Sequence, residues 1–390
     1  MTTAPSMIGW AHSTFGEADA PDVETLLAEV TGPALDHAGV TADEVDGVFV
    51  GVFNNGLSRQ GFEGGLVGAG RPELAGVPAV HVENACATGS AALYAALDFV
   101  QSGRGRLALV AGAEKMTSAR FDTLNDALLS ASYRKEEEHA GSFAGIFADL
   151  AVTYFDRYGD HRRTLARIAA KNHRNGVGNP YAHLRKDLGV DFCDAVSDRN
   201  PLVADPLRRT DCSLVSDGAA AVVIAAPDVA RTAARAVTWR GRAQAADHLP
   251  LRRRDDVLRL AGARAAFERA RAEAGIELAD LDLLETHDCF TIAELLQYEA
   301  FGLAEPGKGA TVLDTGVVER GGTLPVNPSG GLKAKGHPVG ATGVSQHVMA
   351  ALQLTGQAGD IQVDGAELAG VFNMGGVAVA NYFSVLERSR

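Results

Sequence analysis

Val80-His-Val-Glu-Asn-Ala-Cys-Ala-Thr-Gly-Ser90 is the stretch on which the fold turns, because a β-type run breaks there straight into a helix of small residues. Upstream, Val77-Pro-Ala-Val80 and His81-Val82 read as the end of a buried strand. Downstream, Ala87 to Leu97 reads as a helix whose first turn carries almost no side-chain bulk. Cys86 therefore lies at a helix N-terminus, where unpaired amides and the positive end of the dipole favour a thiolate. Its small neighbours leave room for a substrate carbonyl to reach sulfur. The competing reading, a buried structural cysteine, has to be weighed against two other segments that offer it partners.

The first of these is Gly330-Gly-Leu-Lys-Ala-Lys-Gly-His-Pro-Val-Gly-Ala-Thr-Gly343. Pro338 fixes the backbone just after His337, and glycines on both sides allow close approach. A histidine held that rigidly suits a base for a nearby thiol, whereas a solvated loop histidine would not need such constraint. The second is His287-Asp-Cys-Phe290, which follows the largely apolar run Leu281 to Leu284 and precedes a helix from Ile292 to Phe301. It delivers a histidine and a second thiol, Cys289, at the end of a strand, where α/β sheets place their sites.

Composition narrows the field. The chain has 390 residues, 46% hydrophobic and 22% charged, enough apolar material for two cores. Forty-four glycines and only 7 tyrosines fit tight α/β packing. A net charge of −13, with no basic stripe interleaved with aromatics, weighs against nucleic-acid binding. The four cysteines, Cys86, Cys193, Cys212 and Cys289, are widely spaced and show no metal-ligand spacing. A disulfide framework and a structural zinc are not expected, and Cys193 and Cys212 read as structural thiols. No run reaches the ~20 apolar residues of a membrane helix. No signal peptide is visible, and the ending Glu-Arg-Ser-Arg is not the peroxisomal tripeptide, so a reducing cytoplasm is expected.

Two halves of the sequence look alike. Ala38-Gly39-Val40 precedes Asp46 and a strand at Gly47 to Gly51, while Ala274-Gly275-Ile276 precedes Asp282 and a strand from Leu283. The interval from glycine to aspartate is the same, and each block follows an amphipathic helix (Val23 to His37; Val257 to Ala274). This reads as an internal duplication of a βαβ-rich unit. The first half carries a more polar insertion, about 117–214, with a charge run at Arg134 to Glu138 that reads as a solvated face. A Gly-rich turn at Gly141 to Gly145 and a helix from Phe147 to Tyr158 follow within it, and Leu214 to Ala225 returns to a buried strand. Arg252-Arg-Arg-Asp-Asp256 reads as a linker or an exposed helix start.

With these segments in order, the chain resembles the thiolases, and specifically their sterol carrier protein-type branch. Asn84-Ala-Cys-Ala-Thr-Gly89 matches the nucleophile motif and Gly336-His-Pro-Val-Gly-Ala-Thr-Gly343 the histidine motif. Most thiolases begin the third segment Asn-Glu; His-Asp-Cys-Phe, here 287–290, marks this branch. The final motif is normally Cys-x-Gly and here reads Asn373-Met374-Gly375. Asparagine cannot shuttle a proton near neutral pH, so the usual second catalytic cysteine is missing, and the resemblance hands its duty to Cys289.

The resemblance implies an α/β, thiolase-like fold: two duplicated βαβαβ-type halves in five α/β/α/β/α layers. The N-terminal half would span 1–230, with the inserted loop domain covering the site, and the C-terminal half 250–390. It implies a 3-ketoacyl-CoA thiolase (acetyl-CoA C-acyltransferase), cleaving a 3-ketoacyl-CoA or running the reverse Claisen condensation through a Cys86 acyl-enzyme. The catalytic set would be Cys86, His337, Cys289 and His287. His287 and His337 would surround the enolate oxygen, and the backbone amides of Cys86 and Gly375 the acyl-enzyme oxygen. Coenzyme A enters as a cosubstrate, with no metal or redox cofactor. Arg162, Arg163, Arg208 and Arg209 are candidates for its phosphates. A homodimer or dimer of dimers is expected, with a small accessory protein as a further candidate partner. A ketosynthase-like condensing enzyme would also pair one cysteine with two histidines, but needs no Cys289. A non-catalytic acyl-CoA-binding subunit would not need the intact nucleophile and histidine motifs.

Overall fold

The computed structural model describes residues 4–389. In chain order its strands are β1 (Ser6–His12), β2 (Gly47–Gly51), β3 (Ala79–Val82), β4 (Leu107–Glu114), β5 (Leu202–Ala204) and β6 (Leu207–Arg208). There follow β7 (Gly218–Ala225), β8 (Val237–Ala246), β9 (Leu283–Glu285), β10 (Leu368–Gly375) and β11 (Ala380–Arg388). Nine of them lie in the order β3-β2-β4-β7-β1-β8-β11-β10-β9, and β5 pairs with β6 in a separate ribbon.

One plan is used twice. In the first half β2 runs parallel to β3 and β4, and β7 runs antiparallel to both β4 and β1. In the second half β9 runs parallel to β10, and β11 runs antiparallel to both β10 and β8. A single parallel bridge, Leu284 to Val326, stands where β3 stands in the first half. The halves meet edge to edge where Ser6 and Met7 of β1 pair with Thr238 and Val237 of β8.

Helices cover both faces of each half. Val23–Ala38 buries Leu26, Leu27 and Val30 against Val48, Val50 and Val223 on one outside face. Ala261–Ala274 sets Phe267 against Phe383 on the other. Between the halves lie Thr88–Gln101 and Thr342–Leu354, whose Ala92, Ala96, Val344 and Val348 share one core with Val110, Val222 and Val371. The result is five layers, helix, sheet, helix, sheet, helix. The two central helices cross near their first turns on glycine. A Cβ at Gly89 would stand 2.7 Å from the nitrogen of Val344, and one at Gly343 would stand 2.2 Å from that of Ser90. This crossing brings the nucleophile segment and the histidine segment together.

Several local expectations change. β3 is not buried; it is the edge strand, its outer side uncovered, and Val80 is 46% exposed. The helix expected from Phe147 begins at Phe143, because the Ser142 side chain accepts the Gly145 N–H at 3.0 Å and caps it. Gly145 is no turn signal: a Cβ there would strike the Ala140 carbonyl at 2.1 Å. The helix expected from Val257 starts at Ala261, after Leu260 adopts a left-handed φ of 42°. The run at 134–138 is not wholly solvated, since Glu137 is buried and accepts the backbone N–H of Leu251 at 2.8 Å. That contact ties the insertion to the 251–256 segment, where Leu251–Arg253 forms a short 3₁₀ turn. Among the described residues no helix is long and apolar enough to cross a membrane.

Candidate active site

The site lies where the parallel strands of both halves end. Cys86 precedes Thr88–Gln101, on a turn in which Ala85 takes a left-handed φ of 49°. Thr88 Oγ1 accepts the Asn84 N–H at 2.8 Å, and the Asn84 amide donates to the Tyr382 hydroxyl at 2.9 Å, fixing the turn to both halves. Gly375 packs directly beneath it, so closely that a Cβ would meet the Asn84 carbonyl at 2.4 Å.

Cys86, His287 and His337 converge: the sulfur and one ring nitrogen from each histidine all lie within 4.8 Å of one another. All three are buried, and the two imidazoles stand nearly perpendicular with centroids 5.1 Å apart. A soft divalent cation could be held by the same three atoms in place of the thiol proton. Cys289 is buried on the same side, close enough for Cys86 and Asp288 to raise its pKa further. Of the sequence candidates, Cys86, His287, Cys289 and His337 are thus gathered at one place. Gly375 belongs to the same place, and the backbone amides of Gly376, one residue further on, and of Cys86 itself both favour the charged form of the Cys86 sulfur.

Burial governs the electrostatics. It pushes the Cys86 thiol up to about 12, with Glu114 and Glu83 adding to the rise and the Gly376 amide opposing it. The helix N-terminus does not prevail, so Cys86 rests as a thiol rather than the thiolate expected from position alone. Burial and the Lys335 ammonium bring His337 down to about 3, which keeps it neutral. Burial likewise holds His287 well below 6.5 and Cys289 well above 9.0. Lys335 is itself buried, donates to Ser345 Oγ at 2.5 Å, and is brought down to about 8.

His337 carries a defined proton. Its Nδ1 lies 2.7 Å from Thr342 Oγ1, and that hydroxyl donates its only hydrogen to the Pro338 carbonyl at 2.8 Å. The hydroxyl oxygen must then accept from Nδ1–H, which leaves Nε2 as the free lone pair among the converging atoms, a base beside a thiol.

Other residues around the site had no role assigned to them from the sequence. Glu114 ends β4 and accepts the N–H groups of Phe53 at 2.9 Å, Asn54 at 3.0 Å and Gly340 at 2.9 Å. Burial pushes its carboxyl up to about 7 against those three donors. A glutamate closing the apolar run Leu107 to Ala113 was its only sequence signal. Asp288 is a second buried carboxyl group held by backbone donors. It accepts the N–H groups of Leu332 at 2.6 Å and Lys333 at 3.1 Å, and Asn172 of the insertion donates to it at 2.7 Å. Asn373 donates to the Cys86 carbonyl at 3.1 Å and touches His287 Nδ1 at 2.9 Å.

The arginines expected to meet phosphate do not behave alike. Arg208 is 2% exposed and held by Asp211 at 2.8 Å and Asp194 at 2.9 Å, so it is an internal ion pair and not a phosphate ligand. Arg163 pairs with Asp194 at 3.0 Å and Arg162 with Asp160 at 3.1 Å, both at the surface, where Arg209 is also exposed. Cys193 is buried and unpaired, and Cys212 is half-buried and unpaired.

Comparison with known proteins adds to this geometry. Residues 8–228 match the thiolase N-terminal domain and residues 243–388 the thiolase C-terminal domain-like family. An acetyl-CoA acetyltransferase from Methanothermobacter thermautotrophicus is 36% identical over 95% of this chain and 96% of its own length. Sterol carrier protein 2 from Oryctolagus cuniculus is 33% identical over 95% of this chain and 69% of its own. Among solved structures, the Ltp2-ChsH2(DUF35) aldolase superposes with a TM-score of 0.84 at 20% identity, covering 100% of this chain and 98% of that one. That last likeness speaks to fold alone. The chain belongs to the thiolase family, in its sterol carrier protein-type branch, and is an acyltransferase.

Proposed function

We propose that the protein is a 3-ketoacyl-CoA thiolase, with coenzyme A as its cosubstrate and Cys86 as its nucleophile. The observation that carries this reading is the convergence of the Cys86 sulfur with one nitrogen each of His287 and His337. A thiol held neutral beside a neutral base can pass its proton only as the attack occurs. His337 Nε2 takes the Cys86 proton while sulfur bonds to the 3-keto carbon, and the bond between C2 and C3 then breaks. The electron pair leaves as the enolate of acetyl-CoA, whose oxygen needs donors and whose α-carbon needs an acid. His287 and the now protonated His337 are the donors. Cys289 is the acid; its elevated pKa keeps the proton on sulfur until the carbanion forms. The Cys289 thiolate then deprotonates incoming coenzyme A, which attacks the acyl group on Cys86. Cys86 leaves as a thiolate and recovers its proton from His337. The amides of Cys86, Gly375 and Gly376 are the available donors to the acyl oxygen.

The test is direct. Intact-protein mass spectrometry with a 3-ketoacyl-CoA should show an acyl adduct on Cys86, and Cys86→Ala should abolish thiolysis with the fold intact. Near-parent cleavage by that variant would rule out the covalent route. A decarboxylating ketosynthase would use the same cysteine and two histidines, and decarboxylation of a malonyl thioester would reveal it.

We also infer a homodimer working in a reducing cytoplasm, a reading supported by the uncovered edge of β3 and by four unpaired cysteines. A small accessory protein is a further partner to seek, because one solved neighbour carries a second named component, ChsH2(DUF35).

A further inference from the structure

We propose that Asn373 is a positioning residue that fixes the tautomer of His287, leaving the proton on Nε2 and presenting an N–H donor beside the Cys86 sulfur. The thiolase reading enters only where it gives that donor an enolate oxygen to bind; the tautomer follows from geometry alone. One atom of the Asn373 amide lies 3.1 Å from the Cys86 carbonyl oxygen and 2.9 Å from His287 Nδ1. A carbonyl oxygen can only accept, so the amide atom facing it is the nitrogen, with two hydrogens to give. One goes to Cys86. The other goes to His287 Nδ1, which must receive it on a lone pair. A neutral imidazole that accepts at Nδ1 carries its hydrogen at Nε2.

Three further observations agree. Burial keeps the His287 ring neutral, so a single proton has to be placed on one of its two nitrogens. His287 Nε2 is buried and has no hydrogen-bond partner among the described residues. A buried N–H left unmet is unfavourable, and a ligand oxygen would relieve it. The register explains why asparagine reaches the ring: Val371 of β10 pairs with Glu285 of β9, so two residues on, at the same strand ends, Asn373 stands opposite His287. His337 is set the other way, with Nδ1–H bonded to Thr342 and Nε2 bare. Beside the Cys86 sulfur the two rings thus offer one acceptor and one donor. A cysteine at 373, with a single weak S–H, could not serve both the Cys86 carbonyl and the His287 ring.

The experiment reads the proton directly. In protein labelled with ¹⁵N-histidine, two-bond ¹H–¹⁵N correlations separate protonated from bare ring nitrogens. The His287 signals, among 11 histidines, are assigned by their loss in His287→Gln. The parent should show Nε2 protonated and Nδ1 bare. In Asn373→Asp the carboxylate can only accept, so the pattern should reverse, with kcat falling about 10²-fold and KM changing little. Asn373→Ala should give a mixture of tautomers. A parent ring protonated at Nδ1, or an aspartate variant that keeps the proton on Nε2, overturns the proposal. The parent spectrum decides even if the variants fold poorly. The expected tautomers in a protein that forms no Cys86 adduct would uphold this inference while removing the thiolase reading.

Discussion

At the scale of single residues, the site is a set of neutral groups waiting for a charge. Because burial holds Cys86 near 12, its alkylation by iodoacetamide should keep accelerating with pH beyond pH 9. A rate that levels off near pH 6 or 7 would reveal a preformed thiolate–imidazolium pair and contradict that picture. Cys289 supports a sharper expectation. Cys289→Ala should slow exchange of the acetyl-CoA methyl hydrogens with deuterated water by about 10²-fold or more, yet leave Cys86 open to alkylation. Parent-like exchange in that variant would make Cys289 a packing thiol. Cys86, His287, Cys289 and His337 were legible in the sequence because each sits in a short run with its own local signature. Glu114, Asn373 and Thr342 act through strand register or through one hydroxyl. The relations of Glu114 and Asn373 connect residues tens or hundreds of positions apart and leave no local pattern, whereas Thr342 lies inside the histidine motif and only its hydrogen-bond geometry was hidden.

At the scale of elements, strand ends and turns hold the site by buried side chains that accept backbone hydrogens. Glu114 joins the end of β4 to the segment after β2 and to the histidine turn at Gly340. Both of its oxygens are filled by N–H groups, so an amide in its place would turn a donor toward a donor. Glu114→Gln should lower stability by about 1–3 kcal/mol in urea unfolding and cut turnover by displacing His337. Unchanged stability would mean that the three contacts contribute nothing net. The period of the outer helices was readable from the chain, and Val23–Ala38 ends within one residue of its expected limit. Boundaries failed where glycine misled. Gly141 does turn, with a φ of 70°, whereas Gly145 is small because the Ala140 carbonyl occupies the space. Val80 misled in the opposite sense: its sequence has the apolar look of a core strand, but β3 has a neighbour on one side only.

At the scale of the whole molecule, burial of neutral histidines ties stability to pH. His12 and His337 fall to about 3 and His347 to about 4 in the folded chain, against 6.5 when unfolded. Their contribution is complete above pH 6.5 and is lost as pH falls toward those values; each tenfold difference in a ring's proton affinity is worth about 1.4 kcal/mol. Glu114 and Asp288, both raised to about 7, and Glu285, also raised by burial, work in the opposite direction over that interval, but they are three carboxyls against seven lowered rings, since burial also lowers His37, His173, His183 and His287. Calorimetry at fixed ionic strength should show Tm dropping between pH 6.5 and pH 4; a flat profile would mean these rings are hydrated in solution. For assembly, the bare edge of β3 predicts a light-scattering mass of at least twice the 40.7 kDa of one chain. The repeat was visible in the sequence as two matched glycine-to-aspartate intervals, while the matching strand orders needed three dimensions. That repetition has a consequence for how the protein fails. Cys86 belongs to one copy of the plan, and His287, Cys289, His337 and Asn373 belong to the other. They meet only because Gly89 and Gly343 let two helices touch backbone to backbone. Turnover therefore gauges the tightness of a joint rather than the integrity of either side of it. As denaturant rises, activity should vanish while ellipticity is still native, and Gly343→Ala should produce that same inert, well-folded state in plain buffer.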